Sequence, residues 1–200
     1  MGQELEWKLT VPEPGLLEQI EAWPPLRALM AEAPRDYRMQ TSYYDAPDRR
    51  FSARHITLRR RLENQRSVIC VKAPMPSPAH PNLRGEWELE GEDLAAALPQ
   101  LIARGAPAEL AEAPALRCVA GAEFRRRAVL LRFADGSACE LALDRGRLFG
   151  PTVSAPLCEL ELELKQGEAD AALQLCRTLA LQFGLQPQPK SKYARARLLD

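Results

Sequence analysis

The most regular feature of the chain is a strict alternation of charged and apolar residues. Glu4-Leu5-Glu6-Trp7-Lys8-Leu9 begins it, and Cys158-Glu159-Leu160-Glu161-Leu162-Glu163-Leu164-Lys165 carries it furthest. A period of two sends successive side chains to opposite faces, so each run predicts a strand with one charged and one apolar face. Thr57 to Leu62, Val68 to Lys72 and Arg84 to Glu90 share the habit, as a meander of antiparallel strands would. Phe124 to Phe133 and Ala138 to Leu143 flank Asp135-Gly136, a hairpin signal. Asp144-Arg145-Gly146 reads as another turn before Leu148. About seven or eight strands result.

Helical spacing fills the gaps. Leu16, Leu17 and Ile20, then Leu26, Leu29 and Met30, predict two helical pieces separated by Pro24-Pro25. Asp93 to Arg104 reads as helix despite Pro99, and Glu168 to Phe183 gives the strongest helix, with Gly184 as its C-cap. The stretches Pro74 to Pro81 and Ala106 to Pro114 read as surface connections. Together these elements predict one α+β domain over residues 1–200.

Composition narrows the function. Lys and Arg total 27 and so do Asp and Glu, so no net charge draws the chain to nucleic acid or to an anionic membrane. Cys70, Cys118, Cys139, Cys158 and Cys176 show no metal-finger spacing and read as reduced thiols. The first residues carry no apolar signal core and no membrane-spanning run follows, which places the expected protein in the cytoplasm. His55 and His80 lack the company a zinc site needs and read as surface residues. There is no Gly-rich phosphate loop and no nucleophile elbow.

Position of charge is more informative than its sum. A lone ExExK strand is most simply a solvated sheet face, and its apolar alternates the core. Here the same arrangement recurs at Glu4, Glu6 and Lys8, at Arg59 and Arg61, at Arg84, Glu86 and Glu88, and at Glu159, Glu161, Glu163 and Lys165. Successive carboxylates on one strand face repel one another, and cations would remove the conflict. If these faces turn inward in a barrel, the apolar alternates Leu5, Trp7, Trp87, Leu160, Leu162 and Leu164 face out under helices. Such an interior must hold water, metal and a charged ligand. Carboxylate oxygens suit Mg²⁺ or Mn²⁺, and Arg and Lys suit phosphate, so the pattern points to phosphoryl chemistry on a polyanion.

The ordered motifs resemble the CYTH superfamily, the triphosphate tunnel metalloenzymes. Glu4 to Lys8 resembles the family's ExExK signature, Tyr43-Tyr44-Asp45-Ala46-Pro47-Asp48 its YFDTPD segment, Leu58 to Arg61 its LRxR strand, and Arg84 to Glu88 its RxExE strand. Phe124-Arg125-Arg126, Glu140 to Gly146, Glu159 to Lys165 and Lys190 to Arg195 resemble the later strands and the basic C-terminal segment. His55 and Ala196 depart from the pattern, standing where such sequences commonly have glycine.

The resemblance, closest in pattern to bacterial inorganic triphosphatases, implies an eight-stranded antiparallel tunnel with a charged interior, covered outside by helices. It further implies Mg²⁺ or Mn²⁺ held by Glu4, Glu6, Asp144, Glu161 and Glu163, with Glu6, Lys8, Glu161 and Glu163 as the catalytic group. Lys8, Arg59, Arg61, Lys72, Arg84, Arg126, Lys165, Lys190, Lys192 and Arg195 are expected to bind a small anionic triphosphate. Among Arg125, Arg126 and Arg127, the FxR spacing selects Arg126 as the inward side chain. Glu86, Glu88, Glu140, Asp144 and Glu159 complete the acidic side or hold basic groups. Relatives include thiamine and nucleoside triphosphatases and class IV adenylyl cyclases, and a non-catalytic polyphosphate-binding module is a further alternative. Many relatives continue into a helical CHAD domain.

Overall fold

The computed structural model describes residues 2–75, 77, 83–112 and 115–199. The expectation for His80 therefore lies outside the described residues, as do parts of the two Pro-rich connections. The chain opens with β1 (Gly2–Glu4) and β2 (Glu6–Thr10), separated by Leu5 alone. Then come α1 (Gly15–Ala22), α2 (Pro24–Arg27), β3 (Arg35–Asp45), α3 (Arg50–Ala53), β4 (Thr57–Glu63), β5 (Arg66–Pro74) and β6 (Arg84–Glu90). The second half adds α4 (Leu94–Ala103), β7 (Arg117–Arg132), β8 (Ala138–Phe149), β9 (Ser154–Gln166), α5 (Asp170–Phe183), β10 (Gln186–Pro187) and α6 (Lys192–Ala196).

All strand pairs are antiparallel, in the order β1-β6-β5-β4-β3-β7-β8-β9-β2-β10. β1 bonds to β6 and β2 bonds to β9, so one continuous N-terminal segment ties the two ends of the sheet and curls it into a tunnel. Ten strand segments are present rather than eight because this first strand is divided at Leu5 and the two-residue β10 is added.

Side-chain parity then separates chemistry from core. Leu9, Leu160, Leu162, Leu141, Leu143 and Leu131 point outward and are sealed by α1, α2 and α5 through Leu17, Ile20, Leu26, Ala172 and Leu179. Leu58, Ile69, Val71 and Trp87 form a second outward core under α4 with Ala97, Leu98 and Leu101. Each such side chain contributes about 1.5–3 kcal/mol by leaving water, which supplies the stability that an inward charged face cannot. The outer face of β3 and the adjoining part of β7 belong to neither cluster, so the helical cover is partial.

A third cluster lies inside the tunnel. Tyr193 and Ala196 of α6 pack against the inward side chains Met39, Tyr43, Phe124, Leu148 and Leu157, filling one end. Asp45 is buried and accepts hydrogen bonds from the backbone N–H groups of Ala46, Phe51 and Ser52, and from the Tyr193 hydroxyl at 3.4 Å. It thereby joins the end of β3 to α3 and α6. His55 adopts φ 57°, the left-handed conformation that glycine enters more easily. All five cysteines are free; Cys70, Cys139 and Cys176 are buried and Cys118 is exposed.

Asp144-Arg145-Gly146 is not a turn, contrary to expectation: β8 runs through it, pairing Asp144 with Arg126 and Gly146 with Phe124. The glycine serves close strand approach instead. A Cβ there would stand 2.1 Å from the Glu123 carbonyl oxygen and 2.5 Å from the Phe124 Cα. Gly146→Ala should therefore force β7 and β8 apart and lower stability by about 2–3 kcal/mol, read as a fall in the urea midpoint. A wild-type midpoint would refute the close approach.

Candidate active site

The inward faces of the nine strands β1 to β9 surround a cavity of about 240 Å³. Its walls bring together Glu4, Glu6, Lys8, Arg59, Arg61, Lys72, Arg84, Arg126, Glu161, Glu163, Lys165 and Lys192, most of the residues expected from sequence. Glu86, Glu88, Glu140 and Tyr43 line it too. Three expected residues stand elsewhere. Lys190 is exposed and lines an apolar hollow beside β2, Arg195 lies behind the floor against Glu159, and Asp144 is fully buried beneath the cavity.

The charges divide into saturated and unsaturated sets. Arg126 donates to both oxygens of Asp144 at 2.8 and 2.7 Å and also to Glu161. The Lys192 ammonium meets Asp144 at 2.7 Å, Glu161 at 2.8 Å, and Glu159, which in turn accepts from Arg195. Burial alone would discharge Lys192, yet these three carboxylates hold its pKa above the ordinary value. Burial likewise works against an ionised Glu161, but Lys192 and Arg126 outweigh it and keep the group well below the usual carboxylate range. Lys192 and Arg126 thus serve Asp144, Glu159 and Glu161 as counter-ions, and one oxygen from each of these three carboxylates also lies within 4.8 Å of the others, forming a group that could hold a metal ion.

The opposite wall is different. One oxygen each from Glu4, Glu86 and Glu163 lies within 4.8 Å of the others. Lys72 bonds Glu4 through Oε1 and meets Glu86 at 3.2 Å, but Glu4 Oε2 is buried with no hydrogen-bond partner. Glu163 is held above the usual carboxylate range by burial, against Lys165 at 2.7 Å on the solvated rim and with Glu4 adding repulsion. Glu86 is pulled down to about 2, burial opposing and Lys72 and Arg59 prevailing. Three hard oxygens this close together could hold a metal ion.

Facing them, Arg59 stands 3.6 Å from Glu86 and 3.8 Å from Glu88, with its Nε unbonded. Arg61 donates to Thr41 Oγ1 at 3.3 Å and reaches Glu63 only at 3.8 Å. Burial, then repulsion from Arg59 and Arg126, lowers the Arg61 pKa, so this guanidinium has unmet demand for an anion. Sequence parity had already grouped Glu86 with Arg84, whereas Thr41 and Tyr43 were not anticipated, because nothing marked β3 as an inward-facing strand.

The β-tunnel thus gathers Arg59 and Arg61 with a carboxylate group, Glu4, Glu86 and Glu163, that could hold a metal ion. The sequence profile of the CYTH domain matches residues 2–196, and the chain belongs to that family. An inorganic triphosphatase of Haemophilus influenzae is 26% identical over 200 residues, covering all of this chain and 55% of the relative, so the chain spans about half that protein's length. Among solved structures, a Hippeastrum putative adenylyl cyclase described as having a dominant triphosphatase activity aligns with TM-score 0.60 at 18% identity, covering 99% of this chain and 96% of that one. A Pyrococcus horikoshii protein aligns with TM-score 0.56 at 18% identity, over 96% of this chain and 97% of that one. These structures share the fold. No helix among the described residues is long and apolar enough to cross a membrane.

The two acidic groups should respond oppositely to neutral replacement. A depressed carboxylate pKa contributes stability above the unfolded value near 4.3 that fades as pH falls, whereas a raised one marks an ionised form that strains the fold at neutral pH. Glu161→Gln, which strips Lys192 and Arg126 of a buried partner, should therefore lose about 2–3 kcal/mol at pH 7 in EDTA. Glu163→Gln should melt no lower than wild type. Equal losses in thermal denaturation would contradict the division.

Proposed function

We propose that the tunnel hydrolyses inorganic triphosphate to pyrophosphate and phosphate with the help of Mg²⁺ or Mn²⁺. The observation that carries this reading is that one small cavity gathers Arg59 and Arg61, held to their carboxylates only at 3.6–3.8 Å, with Glu4, Glu86 and Glu163, and that Arg59 Nε and Glu4 Oε2 stay unbonded. A loosely paired set of guanidinium groups beside a carboxylate cluster is complementary to a polyanion delivered with a cation. At about 240 Å³ the cavity falls below the ~300–1,000 Å³ of ordinary ligand pockets, which favours a compact substrate without an organic body.

In this reading Arg59, Arg61, Lys72, Arg84 and Lys8 grip phosphate oxygens, and Arg126, fixed by Asp144 and Glu161, presents its remaining surface from the floor. Glu4, Glu86 and Glu163, with Glu6 beside them on β2, hold the metal, which supplies charge neutralisation and a more acidic bound water. Glu163, already raised toward proton affinity by burial, accepts the proton of the attacking water. Lys8, bonded to Glu6 at 2.6 Å, keeps that carboxylate turned into the tunnel and neutralises charge building on the leaving group. The bond between the terminal phosphorus and its bridging oxygen breaks, and pyrophosphate departs with the electron pair.

A second reading, an organic triphosphate as substrate, is favoured by an apolar hollow of about 810 Å³ beside β2, which shares Glu6, Lys8 and Arg84 with the cavity. Turnover separates the two. With Mg²⁺ or Mn²⁺, kcat/KM for inorganic triphosphate should exceed that for ATP, thiamine triphosphate and pyrophosphate by about tenfold or more, and EDTA should abolish it. Arg61→Ala should lose at least roughly a hundredfold, as removal of a main electrostatic contact does. Preference for ATP with a cyclic product would move the protein to the cyclase reading, and metal-dependent binding without phosphate release would make it a binder.

A further inference from the structure

The outer face left bare by the helices carries charge that nothing in the fold explains. Arg38, Arg125 and Arg145 are direct cross-strand partners on β3, β7 and β8. Neighbouring strands lie about 4.7–4.9 Å apart, so three like charges stand in a row at that spacing, an arrangement that destabilises a sheet. All three are exposed, and among the described residues the Arg38 and Arg125 side chains have no ion pair or hydrogen bond. Among the described residues, Arg145 pairs only with the exposed Glu18, at 3.8 Å. By contrast, Arg127, two residues along the same strand, bonds Glu21 at 2.7 Å and Asp36 at 2.8 Å.

The row forms one wall of a trough of about 820 Å³ that crosses β3, β7, β8 and β9. Its floor is largely main chain, because Met39, Phe124, Gly146 and Leu157 form the adjacent cross-strand row and turn any side chain inward, and Arg195 of α6, bonded to Glu159, also lines it. Glu123 on the far wall is its one carboxylate, and Arg147 is that residue's cross-strand partner. A ligand for this surface must be thin, extended and repeatedly negative, since a single small anion could engage only part of the row. Guanidinium groups match phosphate oxygens bidentately. Binders of single-stranded nucleic acid add aromatic platforms for the bases. None is offered here: the Phe124 ring lies inside the tunnel near Arg126 and Lys192.

We propose that this trough is a second anion site, separate from the tunnel, that binds linear inorganic polyphosphate along the Arg38–Arg125–Arg145 row. The proposal goes beyond the tunnel's hydrolytic reading and is tested without turnover. Labelled long-chain polyphosphate is titrated in EDTA against wild type, Arg38→Ala/Arg125→Ala and Arg59→Ala/Arg61→Ala, each checked for folding by circular dichroism. The outer double variant should bind about tenfold more weakly, lose about 2 from the slope of log affinity against log salt, and keep wild-type triphosphate hydrolysis. The tunnel double variant should lose hydrolysis and retain most polyphosphate binding. Undiminished binding by the outer variant, loss confined to the tunnel variant, or tighter binding of a single-stranded oligonucleotide or a poly-glutamate peptide would each overturn the assignment. Failure of the hydrolytic reading would show separately, as absent turnover in a wild type that still binds.

Discussion

Lys192 held by Asp144, Glu159 and Glu161 is the contact on which the tunnel's organisation depends. Removing one such ion from water costs several kcal/mol even after relaxation, and a single partner seldom offsets that. Here the cost is met collectively. Arg126 shares Asp144 and Glu161 with Lys192, and Arg195 shares Glu159, so each carboxylate serves more than one cation. Because Lys192 and Arg195 both belong to α6, the same network draws the short helix into the barrel and seats Tyr193 and Ala196 among Met39, Tyr43 and Phe124. Charge pairing at the floor thus decides where the tunnel is filled and, by difference, where a cavity remains.

That division explains why a tunnel so densely charged can still be selective. If every inward carboxylate had a cation at bonding distance, a ligand would have to break existing pairs to enter. At the floor it would. On the walls of β1, β4, β6 and β9, Glu4 keeps an unbonded oxygen, burial holds Glu163 above the usual carboxylate range despite Lys165, and Arg59 and Arg61 meet their carboxylates only at 3.6–3.8 Å. A polyanion carrying its own cation would exchange the loosest of these pairs, the Arg59 and Arg61 contacts at 3.6–3.8 Å. The mismatch is stored by the outward cores, where Leu9, Leu141, Leu160 and Leu162 on one flank and Leu58, Ile69 and Val71 on the other supply the favourable burial.

Much of this was legible in the chain because β2, β4, β6 and β9 alternate cleanly, and period-two parity assigned Glu6, Arg59, Glu86 and Glu161 to one face before any coordinates. β3 was not found by that rule. Its inward side is Tyr37, Met39, Thr41 and Tyr43 and its outward side Arg38, Gln40 and Ser42, an inverted and less contrasted pattern that the charged-face argument passes over. Asp144-Arg145-Gly146 has turn composition, yet Gly146 is required by the closeness of β7, a tertiary constraint no local window contains. Likewise, nothing in Lys190 to Arg195 distinguishes the lysine that enters the cage from the one left exposed; the difference is the first turn of α6, where the Ser191 hydroxyl accepts from the Ala194 N–H and turns Lys192 inward.

The division of the first strand bears on how a ligand could reach the interior. β6 bonds to the N-terminal segment only along β1, and beyond Leu5 the free side of β2 is taken by β10 rather than by β6. The barrel therefore parts along this line. An open sheet edge invites further strand pairing, but β10 is two residues long, ends in Pro187, which has no N–H to offer, and is followed by Pro189. The parting is thus tolerated without exposing a long adhesive edge. Arg84, Lys8 and Glu6 line both the hollow in this gap and the cavity within, so a ligand arriving there meets opposite charges in sequence before it reaches Arg59 and Arg61. Access and recognition thus share side chains, Glu6 and Lys8 among them, on the strand that exchanges its neighbour at Leu5.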